Sequence, residues 1–281
     1  MALSLAEALN TEIVSFDARQ IYRELNIGVA RPSVAELQRV KHYFIASHTI
    51  HQPISAAQYA AEASVVIKNI LSKRQWVILV GGSGFYLKAL LFPLDPIPEA
   101  TAEARRKARS MTLPELRAFV ESKDPIYFKQ VDRQNPVRLA RAAEVILTTG
   151  RPFSSYLKCS SVRNPRWAFV AVQPAINDAA LRRSIHQRTL AMWEQGLADE
   201  CRVLLPWRQL QPLRSVGYVE TFDFLEGLYD EGETLRRIEK HTWQYARRQK
   251  TWFRHQLPQS PLPLTEQELS EFVQKLKEGR L

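Results

Sequence analysis

The chain is poor in cysteine: its 281 residues hold two, Cys159 and Cys201. Two isolated thiols make neither a disulfide framework nor a zinc site, and they point to a reducing cytoplasm. No run of 18 apolar residues is available to span a bilayer, and the N-terminus lacks the charged-then-apolar order of a signal peptide. A soluble cytoplasmic protein is expected. The six histidines, His42, His48, His51, His186, His241 and His255, lack a ligand spacing such as HxxxH, so no histidine metal site is expected. Neither a Gly-x-Ser-x-Gly elbow nor a GxGxxG fingerprint occurs. The first glycine is Gly28, and no glycine is followed by Lys-Ser or Lys-Thr. Acidic residues are in deficit, 29 Asp and Glu against 39 Lys and Arg, which leaves a net charge of +10 and a pI near 9.7. That excess favours a polyanionic partner, nucleic acid first, although an ordinary basic enzyme would carry it equally well.

Hydrophobic residues make up 45% of the chain, enough for one large domain or a core domain with an inserted lobe. Met1–Leu9 reads as helix leading into a first strand over Glu12–Asp17. Ser33 can cap a short helix from Val34 to Val40. His42–Ser47 reads as a second strand, and Ser55–Ser72 as a helix of roughly five turns. Trp76–Gly82 is a continuous apolar run of strand length, as in a parallel strand buried on both faces. Strands alternating with helices argue α/β with a parallel sheet. From Leu91 the character changes: Thr101–Val120 and a further helix after Asp124-Pro125 form a helical insertion without strands. Pro136–Leu147 is helical and closed by Gly150. A fourth strand is expected over Trp167–Val172, then a long helix over Asp178–Leu205 interrupted at Gly196. A basic helix follows from roughly Glu233 to Arg254, and prolines then precede a polar helix over Thr265–Lys277. The resulting division is core residues 1–94, a helical insertion 95–135, core residues 136–257 and a C-terminal tail 258–281. No internal repeat or low-complexity tract is found.

Several stretches carry chemistry. Asp17 stands at the end of a strand, where ligands of parallel α/β sheets sit; it could equally cap a short helix beginning near Ala18. The turn Gly81-Gly82-Ser83-Gly84 opens a helix, so its amides could face a phosphate, or its glycines could serve close packing. Arg138 and Arg141 lie three apart on one helix face and suit phosphate contacts, unless Arg141 merely pairs with Glu144. Lys240–Arg254 interleaves Trp243, Tyr245, Trp252 and Phe253 with Arg247, Arg248, Lys250 and Arg254. The cations suit nucleic-acid phosphates, whereas Trp252 and Phe253 read as packing. Cys159 and Cys201 have no local histidine partner and read as structural.

Taken together, SFDARQIYRELNIGVARP, ILVGGSGFYLKALL, QNPVRLARAAEVILTTGRP, EQGLADE, RSVGYVE and YARRQKTWFR resemble, in the same order, the motifs of the bacterial tRNA dimethylallyltransferase family. The resemblance spans nearly the whole chain. It implies a P-loop-NTPase-like nucleotide-binding fold, a parallel sheet flanked by helices, with a helical insertion that grips the anticodon arm. It implies transfer of a dimethylallyl group from dimethylallyl diphosphate to N6 of the adenine next to the anticodon, position 37, in tRNAs reading codons that begin with U. Mg²⁺ is the implied cofactor, tRNA the implied partner, and a monomer the implied state. Catalytic roles fall on Asp17, which would accept the N6 proton or orient the amine, on Ser83, and on Arg214 beside the leaving diphosphate. Contacts to tRNA fall on Asp17, Ala18, Arg19 and Gln20, on Pro136, Val137, Arg138, Leu139, Ala140 and Arg141, and on Arg247 and Arg248.

The sequence departs from that family in one large respect. A strand and a phosphate loop, G-x-x-x-x-G-K-[ST], precede the first helix in such enzymes, and the 281 residues hold neither. The expectation is a chain truncated at its N-terminus and inactive, or a non-catalytic tRNA-binding remnant. The sheet is expected to have strand edges left unpaired where that strand would lie. Val137, Val219 and Trp243-Gln244 each replace a polar or basic residue usual in the family.

Overall fold

The computed structural model describes residues 1–157 and 165–280, so Cys159 lies outside the described residues. Two compact units emerge, Met1–Leu91 with Arg166–Leu281, and Phe92–Pro165. Among the described residues no helix is long and apolar enough to cross a membrane.

The first unit is built on short parallel strands. β1 (Ile13–Ser15) lies between β2 (His42–Tyr43) and β3 (Ile78–Val80), both parallel to it. β1 is buried along its length, whereas β3 is only half-buried. The burial on both faces expected of Trp76–Gly82 is therefore not reached, because among the described residues β3 pairs on one side only and forms the edge of its sheet. β2 is shorter than its apolar pattern suggested, since Phe44 and Ala46 adopt positive φ and turn the chain out of the sheet. Helix α1 (Ala2–Ala8) sits against these strands, with Ala6 beside Ile13, Ile78 and Val80. Helix α2 (Val34–Arg39) and helix α3 (Ala56–Leu71) each begin in a capping box, from Ser33 with Glu36 and from Ser55 with Gln58. From α3, Tyr59 donates its hydroxyl to Ser15 O at 2.8 Å and stacks on Tyr86 of helix α4 (Gly84–Leu91).

A fourth strand was expected over Trp167–Val172; β4 instead runs Val172–Pro174 and pairs in parallel with β5 (Leu262–Leu264). Pairing between segments so distant decides where such a strand begins. The Leu262 amide donates to Ala171 O and the Ala175 amide to Leu264 O, so the flanking prolines fall where a missing donor leaves the ladder intact. Following β5, helix α13 (Leu269–Lys277) buries Phe272, Val273 and Leu276 against Leu5 and Leu9 of α1. The polar tail of the sequence reading is thus part of the core.

The second unit holds helices α5 (Ala102–Ser110), α6 (Leu113–Lys123), α7 (Pro125–Gln130) and α8 (Pro136–Thr149). One helix was expected over Thr101–Val120. It breaks at Met111–Thr112 because Thr112 and Glu115 close a new capping box, with Pro114 in the first turn. Asp124 is 1% exposed and structural: it accepts bonds from the Tyr127 amide and from the amide and hydroxyl of Ser154. α8, placed with the core by the sequence, packs Leu139, Ala142, Ala143, Val145 and Ile146 against Leu116, Val120 and Phe128. Its apolar stripe completes this helical core, so the helical unit extends past residue 135.

The remaining helices belong to the first unit: α9 (Asp178–Glu194), α10 (Leu197–Leu204), α11 (Tyr218–Leu225) and α12 (Glu231–Gln256). Gly196, at φ +95, separates α9 from α10.

Candidate active site

Beyond the carboxyl end of β1 the Phe16 amide still pairs with Val80 O at 2.8 Å, and the chain then turns sharply. Asp17 makes the turn. Its Oδ1 accepts the amides of Arg19 at 2.8 Å and Gln20 at 3.2 Å. The capping role is therefore real, although what it caps is a tight turn and not a helix. Its Oδ2 accepts no hydrogen bond among the described residues. One oxygen thus anchors the carboxylate in the turn.

Ser83 meets this turn directly. Its Oγ accepts the Ala18 amide at 2.8 Å, which ties the end of β1 to the loop after β3. Two glycines of that loop are explained by close approach. A Cβ on Gly82 would collide with the Gln249 amide group, and one on Gly84 with the Trp252 ring. The packing explanation of the glycine run is thus the one the geometry bears out, with helix α12 as the neighbour. Gln249 Nε2 also donates to Gly82 O at 3.0 Å. Phe253 meets Phe16 edge-to-face.

Tyr245 and Gln249 were given no site role by the sequence, yet they border Asp17 and Ser83. Burial, and after it the negative charge of Asp17, push the Tyr245 phenol up from its ordinary range, although 42% of the residue is exposed. The available signal was their i, i+4 spacing, which places both on the helix face that carries Trp252 and Phe253.

The cations of α12 point elsewhere. Arg247 and Arg248 are exposed and line an open groove of 560 Å³ with Gln244, Thr251, Trp252 and His255. Lys250 and Arg254 line a second groove, of 270 Å³, with Pro174, Ala175 and Ile176 at the carboxyl end of β4. Lys250 also pairs with Asp178 at 3.2 Å. Arg214 follows the 3₁₀ turn Gln211–Leu213, is exposed, and makes no ion pair among the described residues. No hydrogen bond there links it to Asp17 or Ser83.

In the helical unit the six residues expected to touch tRNA divide by environment. Pro136, Val137 and Arg138 are exposed on the first turn of α8, Val137 at 76%. Leu139 is fully buried, so its side chain is core and not a contact residue. Ala140 is half-buried, packed at the edge of that core. Arg141 is engaged by Glu144 at 3.3 Å and by Pro98 O at 3.1 Å, the bland alternative for this arginine. Arg138 keeps its guanidinium out of any ion pair among the described residues. Cys201 is buried in α10, and burial pushes its thiol up to about 12, so it stays neutral and unreactive.

The sequence model of the IPP transferase family matches residues 20–256. A protein of Porphyromonas gingivalis named tRNA dimethylallyltransferase 2 is 37% identical over 258 residues, which cover 90% of this chain and 86% of that protein. The full-length tRNA isopentenylpyrophosphate transferase of Bacillus halodurans superposes with a TM-score of 0.69 at 27% identity, over 99% of this chain and 90% of the other. A eukaryotic dimethylallyltransferase described as acting on tRNA reaches a TM-score of 0.80 at 18% identity, over 100% of this chain and 76% of its own, a likeness of fold.

Proposed function

The chain belongs to the IPP transferase family, and from that premise we propose that it prenylates tRNA. The group moved is dimethylallyl, taken from dimethylallyl diphosphate and placed on N6 of the adenine at position 37, next to the anticodon, in tRNAs reading codons that begin with U. The observation that carries the assignment of the base is the divided role of Asp17, whose Oδ1 is held by two amides while Oδ2 accepts none. In the reaction N6 attacks the first carbon of the dimethylallyl group, the bond from that carbon to the diphosphate oxygen breaks, and the N6 proton passes to Asp17. A neutral exocyclic amine is a weak nucleophile, and a carboxylate aids it as positive charge develops on nitrogen.

Ser83 holds the turn that carries Asp17. Arg214, exposed and outside any ion pair among the described residues, is the residue assigned to the departing diphosphate. Arg138, Arg247 and Arg248 supply cations for RNA phosphates. Among the described residues no three His, Cys, Asp or Glu side chains converge to hold a metal. These residues therefore do not form a Mg²⁺ cage, and Mg²⁺ belongs to this reading as an ion carried on the substrate's diphosphate. The protein would act as a monomer in the cytoplasm, where its tRNA substrate is found.

The test incubates the purified chain with tRNA, labelled dimethylallyl diphosphate and Mg²⁺. Label on adenine 37, and none on a tRNA with guanine there, is the expected result. Binding of tRNA with steep salt dependence but no label transfer would support a second reading, a non-catalytic tRNA-binding member. No affinity for tRNA at low salt would end both.

A further inference from the structure

The loop Asn26–Arg31 has no regular structure, yet side chains from outside it hold five of its backbone groups. Glu200, on α10, reaches across to it. Its Oε2 accepts the Ile27 amide at 2.8 Å, and its Oε1 accepts the amides of Gly28 at 3.2 Å and Asn26 at 3.4 Å. The same Oε1 receives the Tyr218 hydroxyl at 2.5 Å. Tyr218 is fully buried, and burial followed by the Glu200 charge pushes its phenol far up, which keeps it a donor. The Tyr218 ring lies so close to Gly28 that a Cβ there would come within 2.6 Å of it.

On its other side the loop holds the turn Asp17–Gln20. Gln20 Nε2 donates to Val29 O at 3.2 Å and to Ala30 O at 3.0 Å, while the Gln20 amide is one of the two that fix Asp17. Arg31 then clasps the base of the loop through Tyr22 O and Arg23 O. A continuous run of bonds thus leads from Glu200 through the loop to Gln20 and Asp17.

We propose that Glu200 is a positioning residue, whose carboxylate sets the loop Asn26–Ala30 and through it the placement of Gln20 and Asp17 against the RNA. The inference rests on the tRNA reading above and adds to it a residue that touches no substrate. Four donors converge on one side chain, and only an acceptor-only group satisfies them all. In glutamine the amide nitrogen would face an N–H or O–H donor and leave it unpaired.

The experiment compares wild type, Glu200→Gln, Glu200→Asp and Gly28→Ala by amide hydrogen exchange and by affinity for an anticodon stem-loop RNA. In Glu200→Gln, exchange at Ile27 and Gly28 and also at Arg19 and Gln20 should rise about tenfold or more, and RNA affinity should fall about tenfold. Glu200→Asp should fall between wild type and Glu200→Gln, and Gly28→Ala should reproduce the loss while keeping the carboxylate. Exchange that quickens at Ile27 and Gly28 but not at Arg19 and Gln20 would overturn the proposal, because the loop would then not govern the turn. Exchange that quickens equally throughout the first unit would overturn it too, by showing a merely structural role. If the wild type binds no RNA, the tRNA reading fails, and the exchange at Arg19 and Gln20 still decides whether Glu200 sets the turn.

Discussion

The Ala18 amide donates to Ser83 Oγ at 2.8 Å across 65 residues of sequence, joining the ends of two neighbouring parallel strands at the point where the acid turns outward. Ser83→Ala leaves that amide without its partner, a loss of about 1–3 kcal/mol where the group stays buried. Ser83→Thr keeps the acceptor. The expected outcome is a turnover loss in the alanine variant that the threonine variant restores, measured as labelled prenyl transfer with the melting temperature followed in parallel.

Asp17→Asn separates the turn-holding bonds of this residue from its proposed role as base. The amide oxygen can still accept from Arg19 and Gln20, so the turn survives while the base is lost. Prenyl transfer should fall by about 10²–10⁴-fold, with stem-loop affinity and thermal stability close to wild type. Near-normal turnover would remove Asp17 from the chemistry.

Gly84→Ala tests packing. Its Cβ would enter the Trp252 ring, and α12 would have to move away from the loop that carries Ser83. Overpacking of this kind costs about 1–3 kcal/mol, readable as a lower denaturant midpoint with an unchanged m-value. The same substitution at Gly150 meets no heavy atom within 4 Å. There φ is +69, so strain of the backbone is the only penalty.

Arg247→Ala and Arg248→Ala should weaken stem-loop binding and each lower the slope of log affinity against log salt by about 1. Arg141→Ala is expected to leave that slope unchanged, because its guanidinium is already held by Glu144 and Pro98. A slope unaltered in all three would show that the groove along α12 does not meet phosphate.

What the sequence made legible was local. Ser33 announces its helix because a cap and its amide lie within one turn, and the caps Ser55 and Asn135, not named from the sequence, obey the same local rule. Asp17 could be named because it follows the end of a strand, and Ser83 because of its place in a family motif. The strand near Trp167 was misplaced because its start depends on β5, about ninety residues away, whose prolines disguise it. Leu139 was read with its neighbours as one contact block, although a helix turns a residue at that spacing into the core. Glu200 and Tyr218 sat inside quoted motifs without a role, since no local rule links them to residues 26–28.

One consequence lies in the apolar cluster that holds both Leu5 and Leu276. While one side of α1 packs on β1 and β3, the side carrying Leu5 and Leu9 gains its cover only when α13 has been made. The helical unit is continuous in sequence and can close on its own contacts while translation proceeds. The strand unit must wait. That side of α1 stays uncovered while the residues between it and α13 are made, which makes it a surface for a chaperone of nascent chains to hold.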